Sequence, residues 1–198
     1  MSAAQGSRSF LEPLLGKTAT FLFAERQDNL AFARTLAALL GASGMAAAVL
    51  DLDAFYSSHA DSVLTPSPAE ADSWTLRVPA PGSDIEAEVS QLFVAPQGAL
   101  ILDSLNTLYH LFSLDDGRSR GRRLGFALAG LSYLAKTNSK AVILGMYRRE
   151  GFGRLGTARS ISGLSDIAAS VEVNGSELSM RTERGSAWPG GVFSTRIP

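Results

Sequence analysis

The sequence predicts an α/β protein: a mostly parallel central sheet covered by helices on both faces, with antiparallel strands at the C-terminal end. Three observations carry that prediction. Short apolar runs alternate with segments of helical periodicity between residues 18 and 144, the pattern of strand–helix–strand units. The connections between several of them are short and rich in Gly, Ser and Asp, which suits parallel strands joined by crossovers. Beyond residue 166 the helical pattern stops, and two strand-like runs flank Asn174-Gly175, a hairpin signal.

Taken in order, residues 1–9 are polar and small and read as a loose tail, leaving 10–198 as one core domain. Residues 18–24 form an apolar run of strand length, and residues 29–40 a helix that Gly41-Ala42-Ser43-Gly44 stops. Residues 45–50 give a second strand that ends at Asp51-Leu52-Asp53. Residues 57–84 hold Pro66, Pro68, Pro79 and Pro81 around one β-like run, 74–78, and read as a connecting excursion. A short helix at 85–93 and a third buried strand at 98–102, ending at Asp103, come next. The polar loop 113–121 leads into 122–136, where Leu124, Leu128, Leu131 and Leu134 or Ala135 recur at helical spacing. Residues 141–144 are a fourth strand, followed by a long loop, 147–163. The runs 167–173 and 177–182 make the hairpin, and 192–197 the last strand, with Trp188 expected in the core.

Composition narrows the chemistry. The chain has 198 residues, 45% of them hydrophobic, which suffices for one well-filled domain. With no cysteine there is no disulfide or thiolate metal site, and two histidines, His59 and His110, make a histidine-based metal centre an unfavoured reading. No metal and no cofactor is expected. The absence of a basic-then-apolar N-terminal segment and of a long apolar run leads to the expectation of a cytoplasmic protein that does not enter a membrane. Net charge is −1, yet residues 1–100 carry 5 basic and 11 acidic side chains and residues 101–198 carry 13 and 8. The second half could therefore face a polyanion.

Gly16-Lys17-Thr18 suggests a phosphate-binding loop, but such a loop must leave a strand and run into a helix N-terminus. This triplet precedes the strand, and Leu11, Glu12 or Pro13 stands where the first glycine is needed. The position after the strand is held by Glu25-Arg26-Gln27-Asp28-Asn29, without glycine or lysine and with two acidic residues. The architecture of a nucleotide site is predicted; its phosphate-gripping residues are missing.

Three segments in this order resemble a known family. ALILDSLNTLYHLF (99–112) resembles the Walker B strand of RecA-like recombinases, including the archaeal RadA type. RRLGFALAGLSYLAKTNSKAVILGMY (122–147) is similar to that family's arginine-started helix and central strand, and residues 158–197 look like its terminal segment. The resemblance spans about residues 11 to 197. It implies a RecA-like fold, ATP-dependent filaments or rings, and DNA-binding loops after the third and fourth strands. It also places Asn29, Leu30 and Ala31 where the family has Gly, Lys and Ser/Thr, a degenerate Walker A motif. Asp53 falls at the family's water-activating Glu, one methylene short, and Gly145-Met146-Tyr147 where a γ-phosphate sensor stands. Asp103, followed by Ser104, alone matches; its other reading is a strand-end residue that caps the next turn through Ser104.

Phosphoryl transfer depends on positioned cations and metal, so the expectation is a protein without ATPase activity. Two arginine clusters, Arg118, Arg120, Arg122 and Arg123 and then Arg148, Arg149, Arg154 and Arg159, fall in loops beyond the C-terminal ends of parallel strands. Interleaved glycines permit close backbone approach to a phosphate, and Phe152 or Tyr147 could stack on an unpaired base. Single-stranded DNA, or RNA in its place, is one reading; contact with an acidic patch of another subunit, and simple solvation beside Asp115, Asp116 and Glu150, are the others. The expected role is an ATP-independent RecA/RadA paralogue in recombination or repair, as a homo-oligomer or with an active recombinase. The alternatives are an Elongator-type scaffold subunit that binds transfer RNA in a ring, and an atypical nucleotide hydrolase.

Overall fold

The computed structural model describes residues 8–63, 74–112, 120–148, 163–185 and 187–198. Its strands are β1 (Lys17–Phe23), β2 (Ala47–Asp51), β3 (Trp74–Arg77), β4 (Ala99–Asp103), β5 (Ala141–Tyr147), β6 (Ile167–Asn174), β7 (Glu177–Arg184) and β8 (Val192–Arg196). Helices are α1 (Arg26–Ser43), the single turns α2 (Phe55–Ser58) and α3 (Ala60–Val63), α4 (Ile85–Val94), α5 (Leu105–Leu111) and α6 (Arg120–Asn138). All eight strands join one sheet in the order β3-β2-β4-β5-β1-β6-β7-β8. The first six run parallel, and β6-β7 and β7-β8 pair antiparallel.

Strand periodicity divides the core in two. Ala19, Phe21 and Phe23 of β1, with Val49 of β2, Ile101 of β4, Ile143 of β5 and Ala169 of β6, face α1 and the N-terminal segment. Leu50, Leu100, Leu102, Val142 and Leu144 point the other way, against α4, α5 and α6. Because both faces are covered, the inner strands read as continuous apolar runs, which is why they stood out in the sequence. The antiparallel extension is closed by an aromatic group: Trp188, 4% exposed, stacks on Phe10 with ring centroids 5.8 Å apart, and Phe193 lies 5.1 Å from Phe10. Trp188 thus belongs to the core, as expected.

Several boundaries differ from the sequence reading. Residues 8–11 are helical and Phe10 is fully buried, so the loose tail does not extend to Ser9. α1 begins at Arg26, because the Glu25 amide donates to the Asp28 carboxylate (3.0 Å) and closes its first turn. The run at 74–77 is an edge strand paired in parallel with β2, so the excursion rejoins the sheet. α5 was not anticipated; Ser104 caps it by accepting from the Thr107 amide at 3.3 Å. Arg120 and Gly121 lie in α6 and not in the preceding loop, and β5 continues to Tyr147. The hairpin turn is Gly175-Ser176, one residue later than expected, with Gly175 at φ 64° where an L side chain would be strained.

Candidate functional site at the C-terminal ends of the central strands

Neighbouring β4, β5 and β1 deliver Asp103, Tyr147 and the start of α1 to one edge of the sheet, the edge where ligands bind in parallel α/β sheets. Only Ala24 and Glu25 separate β1 from α1. A phosphate loop needs a glycine-rich stretch of about eight residues there to wrap its amides around an anion. The positive end of α1 is instead met by Glu25 and Asp28, side chains of the sign that an incoming anion would carry.

Asn29, 1% exposed, turns its carboxamide into the edge and donates to Asp103 Oδ2 (3.1 Å) and to the Tyr147 hydroxyl (2.7 Å). Leu30 and Ala31 do not join it; both pack into the core beneath α1. Of the three residues aligned with the phosphate-gripping triplet, one reaches the site. Asp103 itself is 1% exposed, and its Oδ1 has no hydrogen-bond partner. Gly145 on β5 makes room for it: a Cβ there would stand 2.4 Å from that oxygen. Burial pushes the Asp103 carboxyl up to about 7 despite the hydrogen bond from Asn29, and the charges of Asp53 and Asp51 add to the rise. Burial likewise moves the Tyr147 phenol to about 12 and holds that of Tyr56 well above its ordinary range, so both remain neutral.

A second layer fixes these groups. Asn106 clamps the backbone of Tyr147, accepting from its amide (2.7 Å) and donating to its carbonyl (3.1 Å). Asp53 lies two residues beyond β2; Ser104 Oγ donates to its carboxylate at 2.7 Å, and the Thr107 hydroxyl donates to the other oxygen. Asp51, fully buried, accepts from the amides of Phe55 (2.7 Å) and Ser57 (2.8 Å) and so starts α2. A cavity of about 290 Å³ opens over Asp53, Ser104 and Thr107, with Arg26, His110, Tyr147 and Arg148 among its walls. Arg26, Asn106, Thr107 and His110 escaped the sequence reading. Thr107 and His110 share the face of α5 that Ser104 begins, a spacing readable only once that helix is known.

The arginines are dispersed in role. Arg122 and Arg123 lie in the first turns of α6, and Arg123 pairs with Glu86 of α4 at 3.3 Å. Arg148 follows β5, donates its amide to the Phe23 carbonyl (2.8 Å) and pairs its guanidinium with Glu183 on β7. Arg118, Arg149, Phe152, Arg154 and Arg159 lie outside the described residues, as does the Arg120 side chain. Among the described residues there is no group of three or more His, Asp or Glu able to hold a metal ion, and no helix long and apolar enough to cross a membrane.

No family model matches this chain, and no curated protein matches its sequence. Among solved structures it is similar to the RadB recombinase, with a TM-score of 0.69 and 14% identity over 100% of this chain and 96% of that one. At that identity the likeness establishes the fold: a RecA-like α/β sheet, mostly parallel, with antiparallel strands at its C-terminal end.

Proposed function

We propose that this protein is an ATP-independent RecA-fold component of DNA recombination or repair, a paralogue with a degenerate Walker A that binds single-stranded DNA and acts by itself or on an active recombinase. The pathway is suggested by the full-length likeness to the RadB recombinase. The observation that carries the loss of ATP chemistry is the two-residue junction of β1 and α1, with the Asn29 carboxamide on Asp103. A neutral amide stands where phosphoryl transfer would need a cation and a metal-bound phosphate. Asp103, held neutral up to about pH 7 by burial, is a poor partner for magnesium-bound water. The DNA reading is supported by the excess of basic side chains in residues 101–198 and by the position of Arg148 at the root of an arginine- and glycine-bearing stretch.

Two measurements test it. Magnesium-ATP should leave the melting temperature unchanged, since a ligand bound only by the folded state must raise it. A labelled single-stranded oligonucleotide should bind at low salt and weaken steeply as salt is added, and reversing Arg148→Glu with Arg149→Glu should reduce affinity about tenfold or more. A nucleotide-dependent rise in stability, or binding indifferent to that reversal, would reject the corresponding half of the proposal.

A further inference from the structure

The cavity over Asp53 has a chemical character of its own. One side presents a carboxylate held in place by two hydroxyls, Ser104 at 2.7 Å and Thr107, while Asp53 itself remains exposed. Each carboxylate oxygen has two acceptor positions, so each retains one for a ligand. Tyr147 and His110 are among the residues that line it, and Asn106 fixes the Tyr147 backbone at 2.7 and 3.1 Å. Arg26, on the first turn of α1, and Arg148, just past β5, stand at the same opening. Arg148 also pairs with Glu183, but a guanidinium carries five donors and can serve two anions. Glu25 lies on the rim as well and accepts from Gln27 at 2.7 Å. Two guanidiniums set against three carboxylates, Asp53, Glu25 and Glu183, leave no net positive charge to hold a triphosphate, whereas a single phosphodiester needs only one contact from each guanidinium.

A carboxylate with two adjacent free acceptor positions selects a ligand with two adjacent N–H donors. Among the four bases only guanine presents such a pair, N1–H beside N2–H; adenine, cytosine and thymine place an acceptor next to each donor. Stacking against an aromatic wall suits a base that has left a helix. We propose that this cavity receives one unpaired guanine nucleotide of single-stranded DNA, with the donor edge of the base on Asp53 and its phosphate between Arg26 and Arg148. The inference rests on the single-strand reading above and adds to it a base preference, read by Asp53, in a cavity that shares Arg148 with the second arginine cluster.

The test is fluorescence anisotropy at low salt with an all-thymine strand of about twelve nucleotides, the same strand with one central dG, and the same strand with inosine at that place. Free dGMP is assayed separately by thermal shift. One dG should tighten binding about tenfold, the range of a good two-donor base contact. Inosine, which lacks N2–H, should lose most of that gain. Asp53→Asn should abolish the difference in affinity between the dG strand and the all-thymine strand; if that variant does not fold, the inosine strand decides alone. All-thymine binding with no gain from dG, or a gain that inosine retains in full, overturns the guanine site and leaves the single-strand reading standing. Stabilisation by dGMP with no strand bound would reject the strand reading and reassign the cavity to a free mononucleotide, and binding of none of the probes would reject both.

Discussion

Asp103→Asn tests the electrostatic argument most directly. In the folded chain the Asp103 carboxyl is 1% exposed and its pKa is about 7, against 3.8 for the free side chain. The folded state therefore binds this proton more tightly than the unfolded one. Its contribution is fully present below about pH 4 and is lost as pH rises through about 7. A rise of roughly three units corresponds to about 4 kcal/mol of stability lost between pH 4 and pH 8. Asparagine keeps the shape and never ionises, so it escapes that loss. Its carboxamide oxygen can accept from Asn29 as Oδ2 does, but its NH₂ must then occupy the unpartnered Oδ1 position beside Gly145, at a cost of about 1–2 kcal/mol. The variant should be less stable than the parent at pH 4, about equal to it near pH 5, and more stable by about 2–3 kcal/mol at pH 8. Urea titrations at intervals across that range would measure the crossover, and comparing the two proteins at each pH removes the titration of every other group. A stability difference that stays constant within about 0.5 kcal/mol from pH 5 to pH 8 would show that Asp103 is ionised throughout, and the account of a buried neutral carboxyl would fall.

Two further outcomes follow from packing and linkage at the far side of the sheet. Asp166 accepts from the Thr18 amide (2.9 Å) and hydroxyl (3.0 Å) and pairs with Lys136 (3.3 Å); burial alone would raise its pKa, but these contacts outweigh burial and lower it. Asp166→Ala should cost about 1–3 kcal/mol at pH 7, with the cost shrinking as pH falls through the carboxyl's depressed folded pKa, and a cost equal at pH 3 and pH 7 by chemical denaturation would contradict this. Trp188→Ala empties the middle of the Phe10, Phe21 and Phe193 group and removes the donor to the Phe10 carbonyl (3.4 Å), so a loss of about 3–5 kcal/mol is expected in a urea titration. A loss under about 1 kcal/mol would place Trp188 outside the core.

What could be read from the sequence follows from how local each signal is. The strands at 17–23, 47–51, 99–103 and 141–147 were found, within a few residues, because burial on both faces makes each a continuous apolar run. The first turn of α1 is hidden in the sequence because Arg26, Gln27 and Asp28 look like a polar loop by composition, while the contact that makes them helical, Glu25 N–H to Asp28, is a matter of geometry. α5 is seven residues long, too short for a helical period to stand out from the apolar strand before it. The site is harder still. Asn29 and Asp103 are 74 positions apart, and Asn29 and Tyr147 are 118 apart. They meet because β5 lies between β4 and β1, an order that no local pattern encodes. The resemblance supplied Asn29, Asp53 and Asp103 as aligned positions but not what they do together, and it included Leu30 and Ala31, which the helix turns toward the core.

The contacts that surround Asp103 at the sheet edge also fix where the chain leaves the sheet. Tyr147 is held at its hydroxyl by Asn29 and at both backbone groups by Asn106, and the next residue, Arg148, is tied by its amide to the Phe23 carbonyl of β1. A nucleotide-responsive protein needs that junction to change when phosphate comes and goes, because a ligand shifts an equilibrium only through contacts that differ between the two states. Here the contacts at that junction are internal: two amide side chains, Asn29 and Asn106, and the strand-end hydrogen bond from Arg148 to Phe23. On the proposed reading, Arg148, from which the arginine-bearing sequence continues, is held in place by the folded sheet itself, and DNA binding without ATP is the behaviour such a root predicts.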